Sequence, residues 1–265
     1  MSKVAKVAFT DYEASIRKAL DLIGAANVLP RSRLIIIKPN LTNSSPPPVT
    51  TSIQATEAVY KYCRDHTQAD IAIGEGAGSG RTCDVYAALG YTDLARRYHI
   101  ELIDFNDAET VELRNPDALQ WKTLHLPKIA MDAFIISLPV LKDHDFSKTT
   151  VSMKNMFGLA PGKYYAGGWN KSKLHSPSVD DSIVDVCLYR KPDLSVVDAS
   201  VALQGGHLSG QKKHIGLILA GFDPVAVDAV GSQLLGHDPG WIHYLTLAEG
   251  RLGSMRDIEV ISPRA

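Results

Sequence analysis

The sequence predicts an α/β protein: a mostly parallel, mixed sheet flanked by helices, with an antiparallel hairpin at one edge and a long Gly/Pro-rich lid loop. Three observations lead there. Short β-branched runs stop abruptly at Gly, Pro, Asp or Asn, amphipathic helical stretches alternate with them, and a 265-residue chain that is 45% apolar can build a full core.

The runs read as buried strands are 34–37, 71–73, 134–140, 194–197 and 215–220. Helical patterns fall at 12–24, stopped by Gly24; at 51–65, opened by Thr50 or Thr51; at 178–189; and at 224–235, stopped by Gly236. Asp223-Pro224 opens the last of these as N-cap and first helical residue, which makes Asp223 mainly structural. Between 108 and 128 two alternating stretches flank the turn-forming Asn115-Pro116-Asp117, the hairpin signal. Residues 158–178 have neither period and are rich in Gly and Pro, as in an ordered lid. No repeat or linker divides the chain, so residues 1–265 are expected to form one α/β domain.

Charge excludes several classes. Twenty-eight basic residues meet 29 acidic ones, which argues against a polybasic nucleic-acid binder, and no window approaches the roughly 20 apolar residues of a membrane span. Cys63, Cys83 and Cys187 lie far apart without a C-x-x-C pair, so neither a disulfide framework nor an iron-sulphur cluster is expected. The compartment these features suit is the cytoplasm.

In an open α/β sheet ligands bind beyond the carboxyl ends of the strands. Here the runs hand over to Lys38-Pro39-Asn40, Gly74-Glu75-Gly76, Lys142-Asp143-His144, Asp198-Ala199-Ser200 and Asp223-Pro224. One polar strand end means only contact with water; five, with Lys, His, Glu and Asp all present, point to a site. The glycine-rich stretch 74–80 fits no register of the dinucleotide fingerprint, and the lysine at 163 is one spacing short of a P-loop and followed by Tyr164, so no NAD or ATP site is expected. Gly76 and Gly78 can still present backbone N–H groups to an anion.

Residues 142–175 carry six lysines (142, 148, 154, 163, 171, 173) against Asp143 and Asp145, a local excess of four positive charges in a nearly neutral chain. A helix starting at Ser147 or Asp145 and running to about Phe157 would place Lys148 and Asn155 on one face, with Lys154 beside them. Crowded lysines repel, and an anion resolves the repulsion. Of nine histidines, His144, His175, His207 and His214 are the metal candidates, yet none forms an H-x-H or H-x-x-x-H pair. His144 suits proton transfer as a neutral base, with His175 as a lid partner. Glu75 and Asp198 could hold a divalent metal or orient a lysine.

Three groups of motifs resemble a known family: IKPN with TTSIQATEAVYKYCRD and ADIAIGEGAG; K-D-H with MKNMFGLAPGK; and DLSVVDASVALQGG with LAGFDPVAVDAVGSQLLG. Together, from about Arg33 to Gly253, they are similar to a bacterial and archaeal family catalogued as a domain of unknown function, some of whose members carry a ferredoxin-like segment and an iron-sulphur label. The resemblance implies roles for Lys38, Asn40, Glu75, Lys142, His144, Lys154, Asn155, Gly158, His175, Asp198, Asp223 and Asp228. This chain lacks the cysteine run, so the cluster does not carry over.

The resulting expectation is an enzyme acting on a small anionic carboxylate or phosphate. Lys38, Lys142, Lys154 and Lys163 would bind the anion, with Lys148 and Gly158 nearby, Asn40 and Asn155 orienting it and His144 moving a proton. The alternative is a non-catalytic ligand-binding or redox-partner module serving a separate iron-sulphur protein. Tyr164, Tyr165 and Trp169 interleave with lysines as in some RNA binders, but the overall charge and the scarcity of arginine argue against it.

Overall fold

A computed structural model describes residues 1–263. In chain order the elements are β1 (Ser2–Ala8), α1 (Tyr12–Leu22), β2 (Ile35–Pro39), α2 (Ile53–His66), β3 (Ile71–Glu75), α3 (Thr82–Ala88), α4 (Tyr91–Tyr98), β4 (Glu101–Asp104), β5 (Thr110–Arg114), β6 (Thr123–Pro127), α5 (Lys128–Asp132), β7 (Phe134–Leu138), β8 (Val140–His144) and β9 (Lys148–Thr150). They continue with α6 (Ser152–Asn155), α7 (Gly162–Tyr165), α8 (Val179–Tyr189), β10 (Leu194–Gln204), β11 (Gln211–Gly221), α9 (Pro224–Leu235), α10 (His243–Ala248) and β12 (Ile258–Ile261).

The main sheet runs β12-β1-β11-β10-β7-β2-β3-β4, with β8 also pairing β10 and β9 pairing β8. Pairing is parallel from β10 across β7, β2 and β3 to β4, and antiparallel where β11 meets β10 and β1. The fold is therefore α/β with a mixed, mostly parallel sheet. The hairpin forms too, but β5 and β6 pair only with each other, as a separate two-stranded sheet. Leu124 and Leu126 of β6 turn into the core beneath it, so packing rather than edge pairing holds the hairpin in place.

Both faces of the sheet are covered, which explains why its strands read as unbroken apolar runs. Ile35 and Ile37 face one core with Ile16, Leu20, Val59 and Tyr62 of α1 and α2, while Ile36 between them faces a second core with Ile183, Val186 and Tyr244 of α8 and α10. A third cluster seats Ala226, Val227 and Val230 of α9 against Val197 and Leu219. Helix ends follow their signals except at α2, which is capped by Ser52 instead of Thr50 or Thr51, because Thr51 Oγ1 is engaged with Leu138 O and Asn40 N. Asp11, Ser52, Ser178 and Asp223 cap α1, α2, α8 and α9 with side-chain oxygens, and Gly236 closes α9 at φ 95°.

Three differences shape the site. The run 134–140 breaks at Pro139, which has no N–H for a ladder, and continues as β8. The run that begins at 194 reaches Gln204, so Asp198 lies inside a strand, next to a bulge between Ala199 and Val201. The helix expected from Ser147 does not form. Lys148–Thr150 pairs back on β8 instead, and helical backbone starts only at Ser152.

Asp223 ties three segments together: its carboxylate accepts from Val225 N (2.9 Å) and Ala226 N (3.1 Å), from Ser254 N (2.9 Å), and from Ser2 Oγ (2.6 Å). Asp223→Ala is expected to cost about 2 kcal/mol of stability, the upper range for a lost N-cap, with Asp223→Asn costing less. Urea unfolding measures both, and an alanine variant as stable as the parent would refute the assignment.

Candidate functional site

The carboxyl ends of β2, β3 and β8 converge with α6 and the 158–178 segment around a cavity of about 430 Å³. Lys38 ends β2 and is fully buried. Its Nζ lies 2.8 Å from Glu75 Oε2 at the end of β3 and donates to Asn155 Oδ1 at 3.2 Å. Asn155 completes the joint by donating from Nδ2 to Lys38 O (3.1 Å) and Ser137 Oγ (3.0 Å), while its Oδ1 also accepts from Asn40 Nδ2 (3.2 Å). The start of α6 is set from a distance: Asp228 of α9 accepts from Ser152 N (2.8 Å) and Met153 N (3.2 Å), supplying the cap that the local sequence lacks.

Gly158 is where the chain passes closest to this joint. A Cβ there would sit 1.8 Å from Glu75 Oε1 and 2.5 Å from Lys38 Nζ, so only glycine fits.

Three more lysines reach the cavity. Lys142 Nζ donates to Asn40 Oδ1 (2.6 Å) and Val49 O (2.8 Å). Lys171 comes from the lid and donates to Asn106 Oδ1 (2.7 Å) and to Ala160 O. Lys154, 8% exposed, lies 4.6 Å over the ring of Phe157 and, among the described residues, has no hydrogen-bond acceptor and no carboxylate within 4 Å, Asp180 favouring its charge only from farther away. The lid is ordered and pinned, since Asn170 donates to Ala77 O (2.9 Å) and Gly80 O (3.2 Å).

Histidines form the opposite wall. His144 stacks on His207 at 4.3 Å between ring centroids and lies 5.9 Å from His175, with Phe157 and Trp169 edge-on to His175. His144 Nδ1 accepts from Phe146 N (3.2 Å) and Ser147 N (3.3 Å), which assigns the proton to Nε2. His175 has the opposite tautomer: Nδ1 faces Lys171 O at 3.0 Å and must donate to it, leaving Nε2 with the lone pair. His207 Nδ1 lies 3.3 Å from Asp145 Oδ2 without the alignment of a hydrogen bond. In the same wall Thr150 Oγ1 is buried with no partner.

Burial in this cationic surrounding lowers every basic pKa. Desolvation brings Lys142, Lys154 and Lys171 down to about 7, the charge of Lys154 adding to the effect on Lys142. Burial likewise lowers His175 and His207 to about 4 and His144 further still, with Lys154 acting on all three. Lys38 is pulled down by burial and held back by Glu75. Glu75 is the one carboxylate lining the cavity among the described residues, so the protonated site carries excess positive charge.

Of the residues singled out from the sequence, Asn40, Glu75, Gly76, Gly78, Lys142, His144, Lys154, Asn155, Gly158 and His175 line this cavity, and Lys38 sits directly beneath it. Three do not. Lys148 is exposed on β9 because that segment is a strand, not a helix. Lys163 is exposed beside Tyr164 and reaches only Ala108 O at 3.4 Å. Asp198 turns to the other side of the sheet, where it accepts from Tyr12 OH (2.8 Å) and Ser200 Oγ (2.6 Å).

Most of the 74–80 loop's N–H groups are already taken, since Gly76 N donates to Glu75 Oε1, Ala77 N to Thr82 Oγ1 and Ser79 N to Thr42 O, while Gly78 N has no acceptor among the described residues. Lys171, Thr150 and Asn106 are polar groups of the site that the sequence reading did not choose, and His207 is marked by the sequence only as a metal candidate. Lys171 was visible only as one charge in the basic stretch. Among the described residues no group of three His, Cys, Asp or Glu side chains is gathered to hold a metal ion. Cys63 and Cys187 are buried and Cys83 is exposed.

The arrangement defines an α/β protein with a buried, lysine-rich cavity at its strand ends. The chain belongs to the family described as Domain of unknown function (DUF362), whose model matches residues 35–233. It is 29% identical over 245 residues to the Thylakoid-associated protein sll1697 of Synechocystis sp., covering 91% of this chain and 74% of that protein. Its fold is shared with the lactate racemase apoprotein from Thermoanaerobacterium thermosaccharolyticum, with a TM-score of 0.54 at 13% identity. That match covers 86% of this chain, which spans 56% of the racemase chain. Among the described residues no helix is long and apolar enough to cross a membrane.

Two outcomes follow from the geometry. Gly158→Ala is expected to lose about 3 kcal/mol or more, since the new methyl meets a buried ion pair that cannot move away; chemical denaturation decides, and a neutral effect would mean the close approach relaxes freely. Lysines lowered to about 7 in the folded chain still bind protons when unfolded, so the unfolded state holds more protons above pH 7 and stability must rise with pH. From pH 7 to about 8, where unfolded thiols are still mostly protonated, the gain approaches roughly 1.4 kcal/mol per unit for each such lysine. Unfolding free energies that fall across this window would contradict the assignment.

Proposed function

We propose that this protein is an enzyme that binds a small carboxylate or phosphate in the cavity at the ends of β2, β3 and β8 and moves a proton on it. The observation that carries the reading is the gathering of Lys142, Lys154 and Lys171 around Glu75 as the single lining carboxylate. An anion supplies the missing negative charge and favours the protonated form of Lys142 and Lys171, which hold it. Lys142 and Lys171 are held by Asn40 and Asn106 and are the positioning cations. The two histidine tautomers suit complementary roles, His144 Nε2–H as hydrogen-bond donor to a developing oxyanion and His175 Nε2 as proton acceptor. This assignment reverses the sequence-based reading of His144 as the base, because its Nδ1 is occupied by two backbone N–H groups.

Isothermal titration with inorganic phosphate and with acetate, pyruvate and lactate tests the reading. Lactate, the substrate named for the fold neighbour, falls within the proposed class. Binding is expected to take up protons near neutral pH and to weaken as pH rises through 7, because the anion prefers protonated lysines. Lys154→Met should weaken binding at least about tenfold while leaving the melting temperature equal to or above that of the parent, since it removes a buried cation with no partner. No binding by any of the four anions would sink the proposal. Binding with no proton exchange at substrate carbon or oxygen would leave a non-catalytic ligand-binding module.

A further inference from the structure

The lysines of the cavity are not equivalent. Lys38 is paired with Glu75, Lys142 donates to Asn40 and Val49, and Lys171 donates to Asn106 and Ala160. Each of these is anchored by acceptors and can hold a charge but cannot advance on a ligand without breaking those bonds. Lys154 is different. Its amine has no acceptor among the described residues, rests against the Phe157 ring at 4.6 Å, and lines the cavity within range to influence His144, His175, His207 and Lys142. A desolvated amine beside other cations is the environment in which lysine becomes a nucleophile at neutral pH.

The walls around it suit one class of partner. Thr150 Oγ1, buried and without a partner, lines the same cavity and offers a hydrogen bond that no protein group takes. Phe146, Trp169 and Leu208, respectively 66%, 48% and 47% exposed, line the cavity as well and provide an apolar rim. Anchored cations, a free amine, an open hydroxyl and an apolar rim together match a molecule with a carboxylate, an adjacent carbonyl and an apolar substituent.

We infer that Lys154 is a carbonyl-reactive nucleophile that forms an imine with a 2-oxo acid whose carboxylate is held by Lys142 and Lys171. The neutral amine uses its lone pair to form the C–N bond while the carbonyl π electrons move to oxygen, which is protonated. The C–O bond then breaks and oxygen leaves as water carrying, in sum, the two hydrogens of the amine. His144 Nε2–H donates a hydrogen bond to the developing oxyanion, and the His175 Nε2 lone pair carries the two protons in turn from nitrogen to the departing oxygen. No oxidant, reductant or cofactor enters the balance. The inference rests on the anion-binding reading of the same cavity.

Borohydride trapping tests it. The full chain is incubated with pyruvate or phenylpyruvate, reduced, and mapped by peptide mass spectrometry, while phosphate binding is titrated in parallel. One adduct per chain on the peptide containing Lys154 is expected, suppressed by excess phosphate and absent from Lys154→Arg, and phenylpyruvate should label at lower concentration than pyruvate. Labelling of wild type by site decides the matter even where the arginine variant fails to fold. No adduct from either 2-oxo acid while phosphate still binds overturns the imine and leaves the anion site standing. Loss of phosphate binding as well overturns both. An adduct on Lys142 or Lys171 overturns the assignment to Lys154.

Discussion

Lys38 and Glu75 sit at the ends of neighbouring strands with side chains 0% and 3% exposed, and each buried charge is tolerable because the other lies 2.8 Å away. Neither position could change alone without leaving an uncompensated charge in a dry interior. The pair does more than neutralise itself. Glu75 also accepts from Leu41 N and Gly76 N, which shapes the chain leaving both strands, and Asn155 bridges from α6 to Lys38 and Asn40. Gly158 passes over the pair so closely that a methyl group would overlap it. Strand ends, helix α6 and the start of the lid are thus referenced to a single ion pair.

Above that foundation the cavity is electrically unfinished. Burial makes the ammonium form of each lysine costly, and the groups that line the space answer with amide and carbonyl oxygens rather than carboxylates. Dipoles hold a cation in place without cancelling its charge. That distinction separates this cavity from an ordinary salt-bridge network. Three stacked histidines, kept neutral by burial and by the same charges, line the cavity beside the lysines. The fold places all of this where parallel sheets leave a crevice, at the carboxyl ends of their strands.

The match to the lactate racemase apoprotein, at 13% identity, speaks for the shared backbone frame. The family match speaks for the segment that contains β2 to α9, the same segment that supplies every polar residue of the cavity. The one curated relative described here is named for its association with thylakoids, and nothing among the described helices of this chain spans a bilayer.

Local sequence determined the α/β class, the strand cores, four helices with their caps, and the polar strand ends at Lys38, Glu75, Lys142 and His144, because periodicity, capping and turn chemistry act over a few residues. It also marked 142–175 as the basic region, though not which of its lysines count. Tertiary structure made that choice. Pairing of Lys148–Thr150 with β8 overrode the helical pattern and sent Lys148 to solvent, the Asp228 carboxylate from α9 set where α6 begins, and the bulged strand β10 turned Asp198 toward Tyr12. Lys171 arrives with the lid, the unpartnered Thr150 hydroxyl with β9, and His207 with the connection between β10 and β11. Contacts between residues far apart in the chain, and the desolvation they impose, leave no trace in any short window of sequence.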